Sequence, residues 1–157
     1  MREMVLLIVA SSLLMAYMNM NVVGESYDGV INVGGRVRCL NCTQGQGLKD
    51  SKPIQGSGVS LTCYGRSQAV YYGTDKTDEA GKYQLTVSSY INGKKLNPRN
   101  CFVRLVYSAD PACSIATVVN GGSTGVRLDV PTTVNANITK YRFHSFFYAT
   151  PSCNRFA

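Results

Sequence analysis

Gly58-Val59-Ser60-Leu61-Thr62-Cys63-Tyr64 is the stretch that decides the fold. Val59, Leu61 and Cys63 fall on one side of an extended chain, and Ser60, Thr62 and Tyr64 on the other. That period of two is the pattern of a half-buried strand. The device recurs on both sides. Ile31 to Cys39 sets Val33, Gly35, Val37 and Cys39 on one face against Arg36 and Arg38 on the other. Lys82 to Ser88 turns Tyr83, Leu85 and Val87 inward, and Cys101 to Tyr107 aligns Cys101, Val103, Leu105 and Tyr107. The Tyr-rich run Ala69 to Thr74, Gly125 to Val130, and the aromatic stretch Tyr141 to Tyr148 are shorter candidates. Turn chemistry separates them at Pro53 to Gly58, Asp78 to Gly81, Ile91 to Gly93 and Gly121 to Gly125. Helical periodicity is absent. About seven short strands with turns between them predict an all-β fold, an antiparallel β-sandwich or flattened barrel.

Six cysteines accompany those strands: Cys39, Cys42, Cys63, Cys101, Cys113 and Cys153. Met4 to Met18 is almost wholly apolar behind Arg2, and small residues follow at Val22-Val23-Gly24, the pattern of a secretion signal cleaved before Glu25. The apolar run is shorter than the ~20 residues a membrane span needs. Residues 1–24 are therefore expected to be a signal peptide and residues 25–157 one domain of roughly 130 residues. In an oxidising compartment an even cysteine count implies three disulfides, with fifteen connectivities open. Cys39, Cys63 and Cys101 lie on the apolar phase of their strands, where they would bridge facing sheets. Cys39-Leu40-Asn41-Cys42 is a Cys-x-x-Cys, but no second close Cys or His pair accompanies it for zinc and no helix follows it for redox chemistry.

The net charge of +7 stays with the mature chain, because Arg2 and Glu3 cancel within the signal. The cations are dispersed, unlike the dense basic arm of a nucleic-acid binder, so no nucleic-acid partner is expected, and no other apolar stretch is long enough for a membrane span. No constellation for catalysis emerges. His144 neighbours Ser145, yet adjacent strand residues point to opposite faces. Asp78 and Glu79 are explained by the turn before Gly81, and Gly121 to Gly125 lacks the Gly-Lys-Ser/Thr ending of a phosphate loop. The chain reads as a non-enzyme with no cofactor. Two glycosylation sequons remain, Asn41-Cys42-Thr43 and Asn137-Ile138-Thr139, with Asn137 the freer of bridged cysteines.

The ordered set Val33-Gly34-Gly35-Arg36-Val37-Arg38-Cys39-Leu40-Asn41-Cys42, Pro53-Ile54, Gly58 to Cys63 and Thr77-Asp78-Glu79-Ala80-Gly81-Lys82-Tyr83 resembles the pollen Ole e I allergen and extensin family of plants. The likeness continues through Cys101 to Val106 and Ser108 to Cys113, and ends at Phe146 to Cys153. It spans nearly all of the mature chain and all six cysteines. The resemblance implies a secreted, extracellular, non-enzymatic β-domain of the cell wall. By cysteine order it also implies the pairs Cys39–Cys113, Cys42–Cys153 and Cys63–Cys101. The chain departs from the family in having no Pro-, His- or Lys-rich arm, and Arg38 stands where an aromatic residue often precedes the first cysteine.

The function expected on these grounds is a structural or binding module for acidic wall polysaccharide or glycoprotein glycans. Arg36 and Arg38 project from one strand face and Lys94, Lys95 and Arg99 crowd a loop, where rows of cations would meet uronate carboxylates. Tyr64, Tyr71 and Tyr72 would stack on sugar rings. The alternative is a secreted regulatory protein that binds another secreted protein or a receptor.

Overall fold

The computed structural model describes residues 29–43 and 47–153. The signal expected over residues 1–24 lies outside the described residues. Thirteen strands run through them: β1 Val30–Leu40, β2 Lys52–Pro53, β3 Gly58–Tyr64, β4 Ala69–Lys76, β5 Lys82–Ser88, β6 Tyr90–Ile91, β7 Lys94–Lys95, β8 Cys101–Tyr107, β9 Ile115–Ala116, β10 Val126–Arg127, β11 Thr133–Val134, β12 Ile138–Arg142 and β13 Phe146–Ala149. Single 3-10 turns at Leu48–Asp50, Pro98–Asn100 and Val119–Gly121 are the helical segments among the described residues.

β1 organises the larger sheet. Along its first half it pairs antiparallel with β5 from Val30↔Ser88 to Arg36↔Lys82, and parallel with β12 from Val30↔Ile138 to Gly34↔Arg142. Past Arg36 both neighbours change: β13 takes over in parallel at Val37↔Phe146, and β2 antiparallel at Arg38↔Pro53. Just before the exchange, at Gly34-Gly35, two side chains cross the strand. A Cβ on Gly35 would lie 2.5 Å from the Tyr83 hydroxyl, and one on Gly34 would lie 2.9 Å from the Arg142 guanidinium. Glycine within a strand marks such a close approach.

The second sheet runs β10-β8-β3-β4, antiparallel throughout. β6 and β7 form a separate hairpin turning through Asn92 (φ 50°) and Gly93 (φ 72°), the paired left-handed conformations of a two-residue I′ turn. The inward residues of the two sheets make one core, including Ile31, Val33, Val37, Leu61, Val103 and Phe146, each fully or almost fully buried. Burial of each such side chain contributes about 1.5–3 kcal/mol. A smaller cluster joins Leu40, Phe147, Ala149 and Cys153 behind the far end of β1.

β3, β5 and β8 occupy the expected ranges, and the alternation holds at Val59, Leu61, Tyr83, Leu85, Val87 and Val103. Elsewhere the structure differs. Tyr141 to Tyr148 is two strands, because the chain leaves β1 after Phe143, whose N–H still donates to the Gly34 carbonyl, and rejoins it at Phe146; both strands run parallel to β1. β13 is buried on both faces, so it carries no alternation. Of Gly125 to Val130 only Val126–Arg127 is strand, while β4 extends beyond Thr74 to Lys76. Tyr107 is 44% exposed: the ladder slips between Gly58 and Val59, and its ring lies over Gly58 rather than in the core.

The disulfides are Cys39–Cys113, Cys42–Cys153 and Cys63–Cys101. Cys63 and Cys101 are directly opposite on β3 and β8, so this bridge lies within one sheet rather than between facing sheets. Cys39–Cys113 ties β1 to the segment after β8, and Cys42–Cys153 ties the end of β1 to the turn after β13.

Candidate functional site

The departure of Phe143-His144-Ser145 from β1 opens a cleft of about 700 Å³ over Gly34-Gly35. Its walls carry Arg36 of β1, Lys76 of β4, Lys82 of β5, Arg142 of β12 and His144. Two carboxylates, Asp75 and Asp78, line it as well.

Each cation arrives by a different route. Arg36 and Lys82 are exposed and directly opposite in the β1–β5 ladder, so two like charges face each other. Such a cross-strand pair is destabilising unless an anion lies between its members. In the next outward-facing row, Arg142 reaches across Gly34. Its Nη2 donates to Asn32 Oδ1 at 2.8 Å and its Nη1 to the Tyr141 carbonyl at 3.0 Å. Asn32, itself buried, donates to Thr86 Oγ1 at 2.9 Å, so three strands hold the guanidinium in place. Lys76 ends β4 at the cleft's rim.

Both carboxylates are occupied by backbone amides. Asp75 accepts from Lys76 N at 2.8 Å and Gln84 N at 2.7 Å, which docks β4 against β5. Asp78 accepts from Ala80 N at 2.9 Å and Lys82 N at 2.8 Å, closing the turn that leads into β5. Tyr83 forms part of the floor, its ring stacked on Phe146 at 6.0 Å between centroids. Its hydroxyl is buried and has no hydrogen-bond partner. Burial drives its pKa well above the ordinary phenol value, against an opposing pull from Arg142. The arrangement is suited to holding an anion. Among the described residues no cluster of three or more His, Cys, Asp or Glu side chains is placed to hold a metal ion, and no cysteine is free.

The five cations singled out in the sequence do not come together. Arg36 alone lines the cleft. The Arg38 guanidinium donates to Ser51 Oγ at 2.7 Å and to the Ser51 carbonyl, and so pins the 3-10 turn Leu48–Asp50 to β1. Lys94 and Lys95 sit on β7, and Arg99 in the turn Pro98–Asn100. Hydrogen bonds Ser89 N–Gly29 O and Leu96 N–Ser89 O anchor that region beside the start of β1. Seven strand residues, roughly 20 Å, separate it from Arg36. Tyr64 and Tyr72 face outward on the four-stranded sheet, whereas Tyr71 is half-buried with its hydroxyl 3.4 Å from the Thr86 carbonyl.

Lys76, Lys82, Arg142 and His144 were not singled out as binding residues, since strands far apart in the chain bring them together. The signal that could have located them is the Gly34-Gly35 pair inside a strand. Of the two sequons, Asn137 is exposed in the turn between β11 and β12. Asn41 is exposed too, but its side-chain Oδ1 accepts from Thr43 N at 3.1 Å and from the Thr43 hydroxyl.

No family model matches the chain. It is 33% identical over 95 residues to a pistil-specific extensin-like protein of Nicotiana tabacum. That match takes in 59% of this chain and 21% of the tobacco protein's length. The major plantain pollen allergen Pla l 1 superposes with a TM-score of 0.57 at 24% identity, covering 78% of this chain and 95% of the allergen. A chlorocatechol 1,2-dioxygenase from Pseudomonas putida overlaps at a TM-score of 0.43 and 12% identity, over 80% of this chain and 62% of the enzyme. The chain thus resembles Ole e I and extensin-like plant proteins, in sequence through the tobacco relative and in fold through the pollen allergen.

Proposed function

We propose that this chain is a secreted, non-enzymatic module of the plant cell wall or apoplast that binds acidic polysaccharide. The cleft over Gly34-Gly35 is its carboxylate-binding site. The observation that carries this reading is the exposed Arg36–Lys82 pair. Two like charges face each other across a ladder beside a fixed Arg142, while the nearby carboxylates serve backbone amides. A uronate carboxylate entering the cleft would relieve that repulsion and accept from Arg142, in whose guanidinium geometry a carboxylate fits bidentately. Three disulfides among the described residues support an oxidising compartment. Asn137 is the sequon proposed to carry glycan, since its turn is exposed.

The test is the double variant Arg36→Gln with Lys82→Gln, compared with the parent protein for binding to de-esterified polygalacturonate. Loss of the facing charges is expected to stabilise the fold by about 0.2–1 kcal/mol while weakening binding at least fivefold. A variant that is more stable and binds equally well would place the site elsewhere. Absence of any glycan binding, with saturable binding to a secreted protein, would favour the regulatory reading instead.

A further inference from the structure

We propose that the solvent face of the four-stranded sheet is a second carbohydrate surface, on which sugar rings of an acidic polysaccharide lie flat while its carboxylates meet arginines. The proposal rests on the reading of the chain as an acidic-glycan module, but uses residues that lie outside the cleft.

The registers of three strand pairs place Arg127, Phe102, Thr62 and Tyr72 in one line across β10, β8, β3 and β4. Three strand spacings make that line roughly 14 Å long. Tyr64 extends it, meeting Phe102 edge-on with 6.1 Å between ring centroids, and the Arg127 guanidinium lies over the Phe102 ring at 5.4 Å. Tyr72 is 59% exposed and Tyr64 47%, although the other side of β3 is packed in the core and that of β4 is half-buried, with Tyr71 against the core. Single exposed aromatics are ordinary. Phe102 and Tyr72 on one register line, with Tyr64 beside it and an arginine already over Phe102, form a platform.

The charges on this face complement an acid. The adjoining line sets exposed Arg104 and Thr74 on either side of Ser60, which is itself buried. None of the outward positions of β3, β4, β8 and β10 is Asp or Glu. The carboxylate that β4 does carry, Asp75, turns to the Gln84 amide on β5. A pyranose ring offers an apolar C–H face to a tyrosine or phenylalanine ring, and a uronate adds a carboxylate in the ring plane, within reach of flanking arginines. Nucleotide bases would stack on the same rings. A strand of nucleic acid, however, asks for a continuous track of cations, and a disulfide-bridged chain of this kind works in oxidising surroundings.

The experiment titrates the oxidised, disulfide-intact protein with de-esterified polygalacturonate and, separately, with polydeoxythymidylate, following calorimetry and the tyrosine ultraviolet difference spectrum. Four forms are compared: the parent, Tyr64→Ala with Tyr72→Ala, Arg36→Gln with Lys82→Gln, and Arg104→Gln with Arg127→Gln, which leaves the aromatic rings in place. Near-ultraviolet circular dichroism checks that each is folded. The expected result is at least a tenfold loss of polygalacturonate affinity in the tyrosine variant, with the difference spectrum abolished, and a reduced salt dependence in the arginine variant. If the tyrosine variant binds like the parent while the cleft variant is impaired, this proposal falls and the cleft reading stands. If the reverse holds, the cleft reading falls and this one stands. Tighter binding to polydeoxythymidylate than to polygalacturonate, or binding to neither, overturns the proposal.

Discussion

Tyr83 keeps its hydroxyl buried against Gly35 with no hydrogen-bond partner, an arrangement that costs about 1–3 kcal/mol relative to a satisfied group. Tyr83→Phe is therefore expected to leave the fold as stable as the parent or up to ~1 kcal/mol more stable, read from urea midpoints. A loss above that size would mean the hydroxyl has a partner. Burial also raises the phenol pKa of Tyr83, and burial with a smaller push from Tyr107 takes that of Tyr148 up to about 12. A group whose native pKa lies above its unfolded value of 10.0 stabilises the fold fully below that pH. The contribution is lost as pH climbs through the native value. The urea midpoint should thus hold steady to about pH 9 and fall above about pH 10, with a shallower fall in Tyr83→Phe. An alkaline limb identical in the two proteins would contradict the assignment.

At the level of elements, the turns rank themselves. Gly81 has φ +71°, and a Cβ there would sit 2.5 Å from the Val37 carbonyl and 3.0 Å from the Pro53 ring. Gly93 has φ +72° but open space around it. Gly81→Ala should cost about 2–3 kcal/mol and Gly93→Ala about 1 kcal/mol, because the first adds a backbone collision to the conformational strain. Equal losses in chemical denaturation would refute that distinction. The strands legible in the sequence were those with one face in the core, β3, β5 and β8, where alternation reports burial directly. The two-faced strand β13 and the break at Phe143 to Ser145 were not legible, since a continuous apolar run carries no period to read. The cleft was hidden for a related reason: Arg36 and Lys82 lie 46 positions apart in the chain and meet only through the β1–β5 register. Proximity in sequence instead suggested Lys94, Lys95 and Arg99, which the β6–β7 hairpin and the turn after it hold at the opposite end of β1.

For the whole molecule, two of the disulfides reinforce strands already paired, β3 with β8 and the ends of β1 and β13, while Cys39–Cys113 ties β1 to the segment after β8. Cys42–Cys153 closes a loop of 111 residues and fastens the smaller apolar cluster of Leu40, Phe147 and Ala149. Replacing both of its cysteines with serine is expected to cost about 2–4 kcal/mol, seen as a lower melting temperature with the β-sheet signal retained. Loss of all folded signal would show that the larger core cannot stand without it. The cleft over Gly34-Gly35 is proposed to gather cations that hold acidic polysaccharide. The most direct test is the affinity of the oxidised protein for de-esterified polygalacturonate at low and moderate salt, with Arg36→Gln, Lys82→Gln alongside. Binding is expected to weaken as salt rises, with a smaller salt dependence in the variant. Salt-independent binding, or the same salt dependence in parent and variant, would contradict it.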